Sequence, residues 1–415
     1  MRSMKDSGAA WVGKIPEHWE VGRIDSFYTL RNTKVSDKDY APLSVTMKGI
    51  LPQLDTAAKT NAHDDRKLVK KGDFAINSRS DRRGSCGISD YDGSVSLINT
   101  ILAPKGEMHP KYYDWLFHTA QFADEFYKWG HGIVDDLWTT NYQDMKKINI
   151  PVPPMPEQQE IANYLNNRCE EIDSLCDDIR AEIDTLELFK RSVVTECVTK
   201  GLDKDVKMKD SGVKWIGFMP EHWTILRGKY CLKYIQKPTK PDDGVITCFR
   251  DGEVTLRSNR REEGFTMSDK EIGYQGIDVG DLVVHGMDGF AGSIGISDSR
   301  GKASPVLNVL DTAENKKYIM YYLRSMAYSD VFLALATGIR VRSCDLRWNK
   351  LAELPYPIPP KTEQLEIVKY IDEKICKADE IIAEKQEQLS VLEEYRKAII
   401  FEYVTGKKEV PNGKF

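Results

Sequence analysis

Three groups of closely spaced arginines are the residues in this chain best suited to chemistry. They are Arg79, Arg82 and Arg83; Arg257, Arg260 and Arg261; and Arg340, Arg342 and Arg347. A guanidinium presents a rigid fork of N–H donors that bonds bidentately to a guanine edge or a phosphate. Asn, Ser and Trp residues stand near these groups, and they suit the same contacts. A single arginine more often ends on a solvated face or in a salt bridge within its own lobe. For the clusters taken as groups, contact with DNA is favoured.

Other chemistries lack their residues. The seven histidines (His18, His63, His109, His118, His131, His222 and His285) are scattered, none at metal-ligand spacing with a Cys or Asp partner. Eight cysteines without a Cys-x-x-Cys point to reduced structural thiols rather than a disulfide frame or zinc ribbon. Neither a Gly-x-x-x-x-Gly-Lys-Ser/Thr phosphate loop nor a Gly-x-Gly-x-x-Gly fingerprint occurs. The Pro-Pro pairs at 153–154 and 359–360 follow Val152 and Ile358, so they read as hinges and not as the base-holding loops of amino-methyltransferases. Acidic pairs such as Asp135-Asp136 and Glu170-Glu171 carry no specific acid–base signal. The expectation is a chain that binds and positions, with no catalytic or metal-ligating residue of its own.

The elements that would position the arginines come from a duplication. Residues 5–21 (KDSGAAWVGKIPEHWEV) and 209–225 (KDSGVKWIGFMPEHWTI) agree at ten of seventeen positions. PVPPMPEQQEIANYL (151–165) and PIPPKTEQLEIVKYI (357–371) agree at eight of fifteen, and GSCGISD (84–90) meets GSIGISD (292–298). The offset drifts only from 204 to 208 across these blocks, so the repeat unit is about 200 residues with few gaps. Two copies are too few for a solenoid and imply two similar lobes.

After each proline hinge, Gly and Pro vanish for over forty residues, apart from Pro156 at the very start of the first stretch. Leu165, Ile172, Ile179, Leu186 and Val193 recur every seven residues, with Ile161, Leu175 and Ile183 nearby; Val368, Ile375, Ile382 and Leu389 do the same, joined by Ile371, Leu392 and Ile399. Sevenfold spacing over four to five heptads predicts two coiled-coil helices, 157–199 and 363–404, with Arg168 and Lys385 interrupting the seam. At 1.5 Å per residue each is a rod of about 65 Å. The simplest partner for each is the other, antiparallel, with a lobe at each end and the rod length as the ruler between them. The lobes read as mixed α/β, with strands at Asp73–Ile76 and Ser94–Leu102, then Asp281–Val284 and Ala303–Leu310. Helices are expected at Lys111–Tyr127 and Asn315–Leu335.

Composition fits. Apolar residues make up 41% and charged residues 30%, which excludes a largely disordered chain. No apolar run reaches membrane-helix length and no leader opens the chain, so a cytoplasmic, membrane-free protein is expected. The net charge of −5 looks wrong for DNA binding until it is located. Residues 157–190 carry −7 and 361–397 carry −3, which leaves +5 elsewhere. Acid lies on the rods and the lobes are mildly basic.

A duplicated order of Trp-x-Gly-x-x-Pro-x-x-Trp (Trp11, Trp19; Trp215, Trp223), variable lobe, Pro-x-Pro-Pro hinge with Glu-Gln and Ile (Pro151–Ile161; Pro357–Ile367), then long helix, resembles the specificity subunit of type I restriction–modification systems. The resemblance covers residues 5–405. It implies an α+β fold, with two pseudo-symmetric recognition lobes separated by a pair of long antiparallel coiled-coil helices. The implied division is 1–21, a repeated opening segment; 22–150, the first target-recognition domain; 151–200, hinge and first helix; 201–225, the second opening segment; 226–352, the second target-recognition domain; 353–405, hinge and second helix; and 406–415, a tail. Each lobe would read one half of a split, asymmetric double-stranded DNA target. The repeated blocks would dock two methyltransferase (modification) subunits or serve structurally, through Trp11, Trp19, Trp215, Trp223, Pro153, Pro154, Pro359, Pro360, Glu157, Gln158, Glu363 and Gln364. S-adenosylmethionine, ATP and Mg would belong to the modification and restriction/translocase subunits, and no cofactor to this chain. A standalone two-lobed DNA-binding regulator is the other reading; it would share the basic lobes but need no acidic rods with repeated hinges.

Overall fold

The structure is a computed structural model that describes residues 2–53, 64–132, 138–260, 272–335 and 346–411. It divides into two compact units, Met1–Ile179 with Gln386–Phe415, and Arg180–Lys385. Each unit therefore takes one lobe, half of the first long helix and half of the second.

The long helices run Met155–Lys200 and Lys361–Val404. Both start directly after the Pro-Pro hinge. Pro156 lies in the first turn, where its missing N–H costs no bond. Both end on a glycine in the left-handed region, Gly201 (φ 76°) and Gly406 (φ 69°), the conformation that closes a helix most cheaply. In the first unit Asp173 pairs with Arg396 (2.8 Å) and Tyr164 with Tyr403 (ring centroids 4.6 Å apart). In the second, Lys190 pairs with Asp379 (2.6 Å) and Lys385 with Glu182 (2.5 Å). In each unit partner numbers rise on one helix as they fall on the other, so the pairing is antiparallel, as expected.

Leu165, Ile172 and Ile179 are buried. The layers between them are filled by Cys169 and Cys176, not by Leu175, which is 47% exposed. That corrects the expected seam. A buried thiol behaves as a small hydrophobe, and reading cysteine as apolar would have shown spacings of four and three. Burial pushes the Cys169 thiol up to about 11, which leaves it inert at neutral pH. Arg168 lies outside the seam and pairs with Glu171 (2.6 Å). Lys385 does face inward, where Glu182 answers its charge.

The lobes share one frame. In the first, the strands Cys86–Ile88, Phe74–Asn77, Asn99–Pro104 and Tyr28–Leu30 form an antiparallel sheet in that order. In the second, Ile294–Ile296, Leu282–His285, Leu307–Thr312 and Leu232–Ile235 repeat it. The single strands expected at 94–102 and 303–310 are each two strands, broken at Leu97-Ile98 and at Ser304–Val306. The helix expected at 111–127 is also two, Pro110–Phe117 and Ala120–Lys128, because Thr119 stops one and caps the next by accepting from Phe122 N. Lys316–Tyr328 is its counterpart. Tyr112, Tyr113, Phe117, Phe122 and Phe126 are buried against the first sheet, with Phe74 and Phe117 at 4.3 Å between centroids. Tyr318, Tyr322 and Tyr356 occupy the corresponding core of the second unit.

Each lobe closes on itself. Glu20–Arg23 pairs with Asn149–Val152, and Thr224–Arg227 with Pro355–Ile358, so the strand entering a lobe is hydrogen-bonded to the strand leaving it.

Candidate nucleic-acid interface

The first arginine group lies on a turn. Strand Phe74–Asn77 runs into a single 3-10 turn, Ser80–Arg82, and Gly84 (φ 78°) returns the chain to Cys86–Ile88. The Asn77 side chain accepts from Arg79 N (3.1 Å), and Tyr127 OH donates to the carbonyls of Asn77 and Arg82, each at 3.2 Å. The Ser78 carbonyl accepts from Thr140 N (3.0 Å). The turn is thus held from three sides while Arg79, Arg82 and Arg83 stay exposed. Their fates differ. Arg83 pairs with Asp124 and lies over the Tyr127 ring at 6.0 Å, and Arg82 reaches Asp81 at 3.8 Å. Arg79 has no ion pair to a described residue.

The second group is not a free cluster. Arg260 is held by Asp251 (2.5 Å) and Glu253 (3.2 Å) and stacks on Phe249 at 4.2 Å. Arg257 is half-buried and donates to Thr247 (3.3 Å). Among the described residues both side chains are thus held by groups of their own lobe, unlike that of Arg79. Arg261, Arg340 and Arg342 lie outside the described residues.

The counterpart turn of the second lobe, which the repeat aligns at His285, Gly286, Met287 and Asp288, carries no arginine. Leu282–His285 leads into a 3-10 turn, Gly289–Ala291, and Gly292 (φ 96°) returns the chain. His285 Nδ1 accepts from Met287 N (3.2 Å) and Asp288 N (2.9 Å). That nitrogen must be unprotonated to accept. Burial pushes the His285 ring below the ordinary histidine value, with Asp288 raising it and Arg250 lowering it further. The unfolded chain thus takes up the proton first as pH falls below about 6.5, and folding stability drops there. Thermal melts at pH 7.5 and 5.5 should show a smaller acid-induced loss in His285→Asn, which supplies the cap found at position 77, than in the unaltered chain. Equal losses would show that the ring titrates freely.

The repeated blocks build a joint in each unit. Trp19 is fully buried and its indole N–H donates to Glu157 (3.0 Å), which also meets His18 (2.5 Å) and Arg2. Burial acts to raise the Glu157 carboxyl, but the bonds from Trp19, His18 and Arg2 outweigh it and hold the group below the usual range. Trp223 donates to Glu363 (3.0 Å), which meets His222 (2.8 Å). The next residue ties helix to lobe. Buried Gln158 donates to the Pro153 carbonyl (2.8 Å) and accepts from His109 N (2.9 Å) at the start of Pro110–Phe117. Buried Gln364 does the same with Pro359 (2.9 Å) and Asn315 N (2.9 Å). The Pro154 and Pro360 carbonyls accept from the Gln158 and Gln364 backbone amides, both at 3.0 Å. Trp11 donates to the Asn149 carbonyl (3.1 Å) and Trp215 to Tyr322 OH (3.2 Å). Each of these side chains makes its bonds inside its own unit, so the repeated blocks hold the helix to the lobe.

Two further tyrosines complete the joint without a motif to announce them. Tyr112 OH donates to the last carbonyl of helix Lys361–Val404 (2.7 Å), and Tyr318 OH to the Val198 carbonyl (3.2 Å) and the Pro357 carbonyl (2.8 Å). Only their shared offset of 206 could have paired them in the sequence.

Among the described residues no cluster of His, Cys, Asp and Glu could hold a metal, and no helix is long and apolar enough to cross a membrane. Residues 16–185 match the family model for the type I restriction modification DNA specificity domain. The chain is 24% identical over 432 residues to the type I restriction enzyme MjaVIII specificity subunit of Methanocaldococcus jannaschii, across 97% of this chain and 96% of that protein. Its fold is similar to a chain from structural work on complex assembly and conformational transition of the type I R-M system, with a TM-score of 0.70, 13% identity, and 95% and 99% of the two chains covered. It is also similar to the HsdS subunit from Thermoanaerobacter tengcongensis, with a TM-score of 0.52, 15% identity, and 95% and 98% covered. The chain thus matches the type I restriction modification DNA specificity domain over residues 16–185, repeats the frame of that stretch in its second half, and is similar along nearly its whole length to a type I specificity subunit.

Proposed function

We propose that each lobe reads one half of a split, asymmetric double-stranded DNA sequence, and that the chain delivers two modification subunits, joined by a restriction/translocase subunit, to that site. S-adenosylmethionine, ATP and Mg would act on those partners, and this chain would contribute no catalytic group. The observation that carries the reading is the repeated frame with unlike surfaces: one sheet order and one joint in both copies, with the exposed turns differing in nearly every side chain. A symmetric dimer would present identical readers and so favour a palindrome; a diverged duplication can read two different half-sites. The lobes are only mildly basic, so much of the electrostatic attraction to DNA would come from the docked partners.

The test is replacement of residues 22–150 by the equivalent lobe of another specificity subunit, with co-expressed modification subunits and methylome sequencing as the readout. Entry and exit strands pair with each other, so a replacement lobe can be inserted without rebuilding the helices. One half of the methylated motif should change and the other persist. Both halves changing together, or neither, would refute the assignment.

A further inference from the structure

The turns at 78–83 and 286–291 read SRSDRR and GMDGFA, without one identity, between flanks that match closely: DFAI against DLVV before, and GSCGISD against GSIGISD after. Divergence this local could reflect a turn that has simply lost constraint. The hydrogen bonds exclude that. At the residue before the turn, Asn77 Oδ1 accepts from the amide two positions on, and His285 Nδ1 does the same. At the next residue, the Ser78 carbonyl accepts from Thr140 N at 3.0 Å, and the Gly286 carbonyl accepts from Leu346 N at 2.8 Å. From the neighbouring strand, Thr100 bonds the Ser78 hydroxyl (3.0 Å), while Asn308, at the same offset, bonds the Val284 carbonyl (3.1 Å) and the Leu346 carbonyl (3.0 Å). Two equivalent backbone anchors survive although the residues making them have changed, and the neighbouring strand adds a bond from the same position in each lobe to a different partner. The backbone is kept and the side chains are free to vary, which is the pattern of a presented position.

One pair of positions stands out on this frame. Arg79 and Met287 occupy the same place, each two residues past its strand and each capped at its own amide. Arg79 is exposed and has no ion pair to a described residue, whereas Arg83 on the same turn is paired with Asp124. Met287 is 53% exposed. A rigid backbone lowers the entropy lost when such a side chain is fixed against a ligand. The two side chains suit different base edges. A guanidinium matches O6 and N7 of guanine, while an unbranched thioether, with no strong donor, suits the apolar methyl of thymine.

We propose that residues 79 and 287 are equivalent base-reading positions, one in each lobe, with Arg79 addressing guanine and Met287 an apolar base edge such as the thymine methyl. This rests on the reading of the lobes as half-site readers. The exchange of the two side chains tests it. Arg79→Met, Arg79→Lys and Met287→Arg are made in the full chain and co-expressed with the modification subunits, and the methylated motif is sequenced. The purified complexes are then bound to duplexes carrying the motif of the unaltered complex and its single-base variants.

Arg79→Met should relax or change one base in one half-site, with discrimination there falling about ten- to a hundredfold. Met287→Arg should change one base in the other half-site. Arg79→Lys should also lose discrimination, because an ammonium cannot form the bidentate fork. Methylation of an unchanged motif by both exchange variants would overturn the proposal. So would a weakening of binding that is uniform over all duplexes, or full rescue by lysine, since each marks a phosphate contact. The lobe reading itself stands or falls on the replacement of residues 22–150, so the two failures are separable.

Discussion

Trp19→Ala should destabilise its unit by about 3–5 kcal/mol, the range for deleting a large buried aromatic. The ring is fully buried and sits between both ends of the joint. Its N–H holds Glu157 at the start of one long helix, and Gly406, just past the end of the other, lies against its far edge. A Cβ on Gly406 would come within 2.9 Å of the ring, so the closing glycine serves packing as well as backbone geometry. Trp19→Phe keeps much of the ring and removes the N–H, and should cost roughly 1.5–3 kcal/mol, the range for a hydrogen bond to a charged group. Trp223→Ala should do in the second unit what Trp19→Ala does in the first, because Gly201 and Glu363 flank it in the same way. Native-state hydrogen exchange, resolved by segment, is the measurement. Protection should fall in Met1–Ile179 and Gln386–Phe415 for Trp19→Ala and in Arg180–Lys385 for Trp223→Ala. Equal losses for the Ala and Phe variants would show that the N–H, and not packing, carries the joint.

A circular permutant that joins Phe415 to Met1 through a short linker and opens near residue 205 should fold and support methylation of the same motif. The chain ends meet inside the first unit: Arg2 lies 3.7 Å from Glu409, and Lys407 donates to the Val12 carbonyl. In the second unit the same connection, from helix end to opening hairpin, is the covalent run 201–207, exposed through most of its length. The permutant exchanges a covalent link for a non-covalent one of similar length. Loop-closure terms then nearly cancel, and stability should change by about 1 kcal/mol or less. Arg2 marks the difference between the copies. It reaches Glu157, whereas the chain at the equivalent place in the second copy carries Val206 and needs no such latch. Soluble permutant that no longer assembles with modification subunits would show that the free ends themselves are required.

Much was legible in the sequence because it was written in repeats and periods. The duplication stood in Trp11, Trp19, Pro151–Ile161 and their partners, and the helices in the sevenfold spacing from Leu165 and Val368. Both signals are local, since a helix face repeats along the chain and a duplication repeats itself. Even there, residue type misled. Leu175 looked like seam and Cys169 did not, yet burial chose the thiol, because position on the helix decides which side chain faces inward. Arginine spacing showed where cations cluster but not which were already spent. Arg83 and Arg260 answer to Asp124 and to Asp251 and Glu253, and only the fold brings those partners together.

The tertiary structure alone decided what the repeated motifs are for. Nothing in Glu157-Gln158 says that the carboxylate will accept from an indole 138 residues away, or that the amide will bridge a proline carbonyl and the start of a lobe helix. The block offset of 208 sets Met287 opposite Arg79 in the sequence, but it does not show that both amides are capped alike. Their equivalence lies in the backbone bonds around them. Sequence determines such positions through contacts between distant residues, and a contact leaves no periodic trace in either partner. It becomes visible only when both are in place.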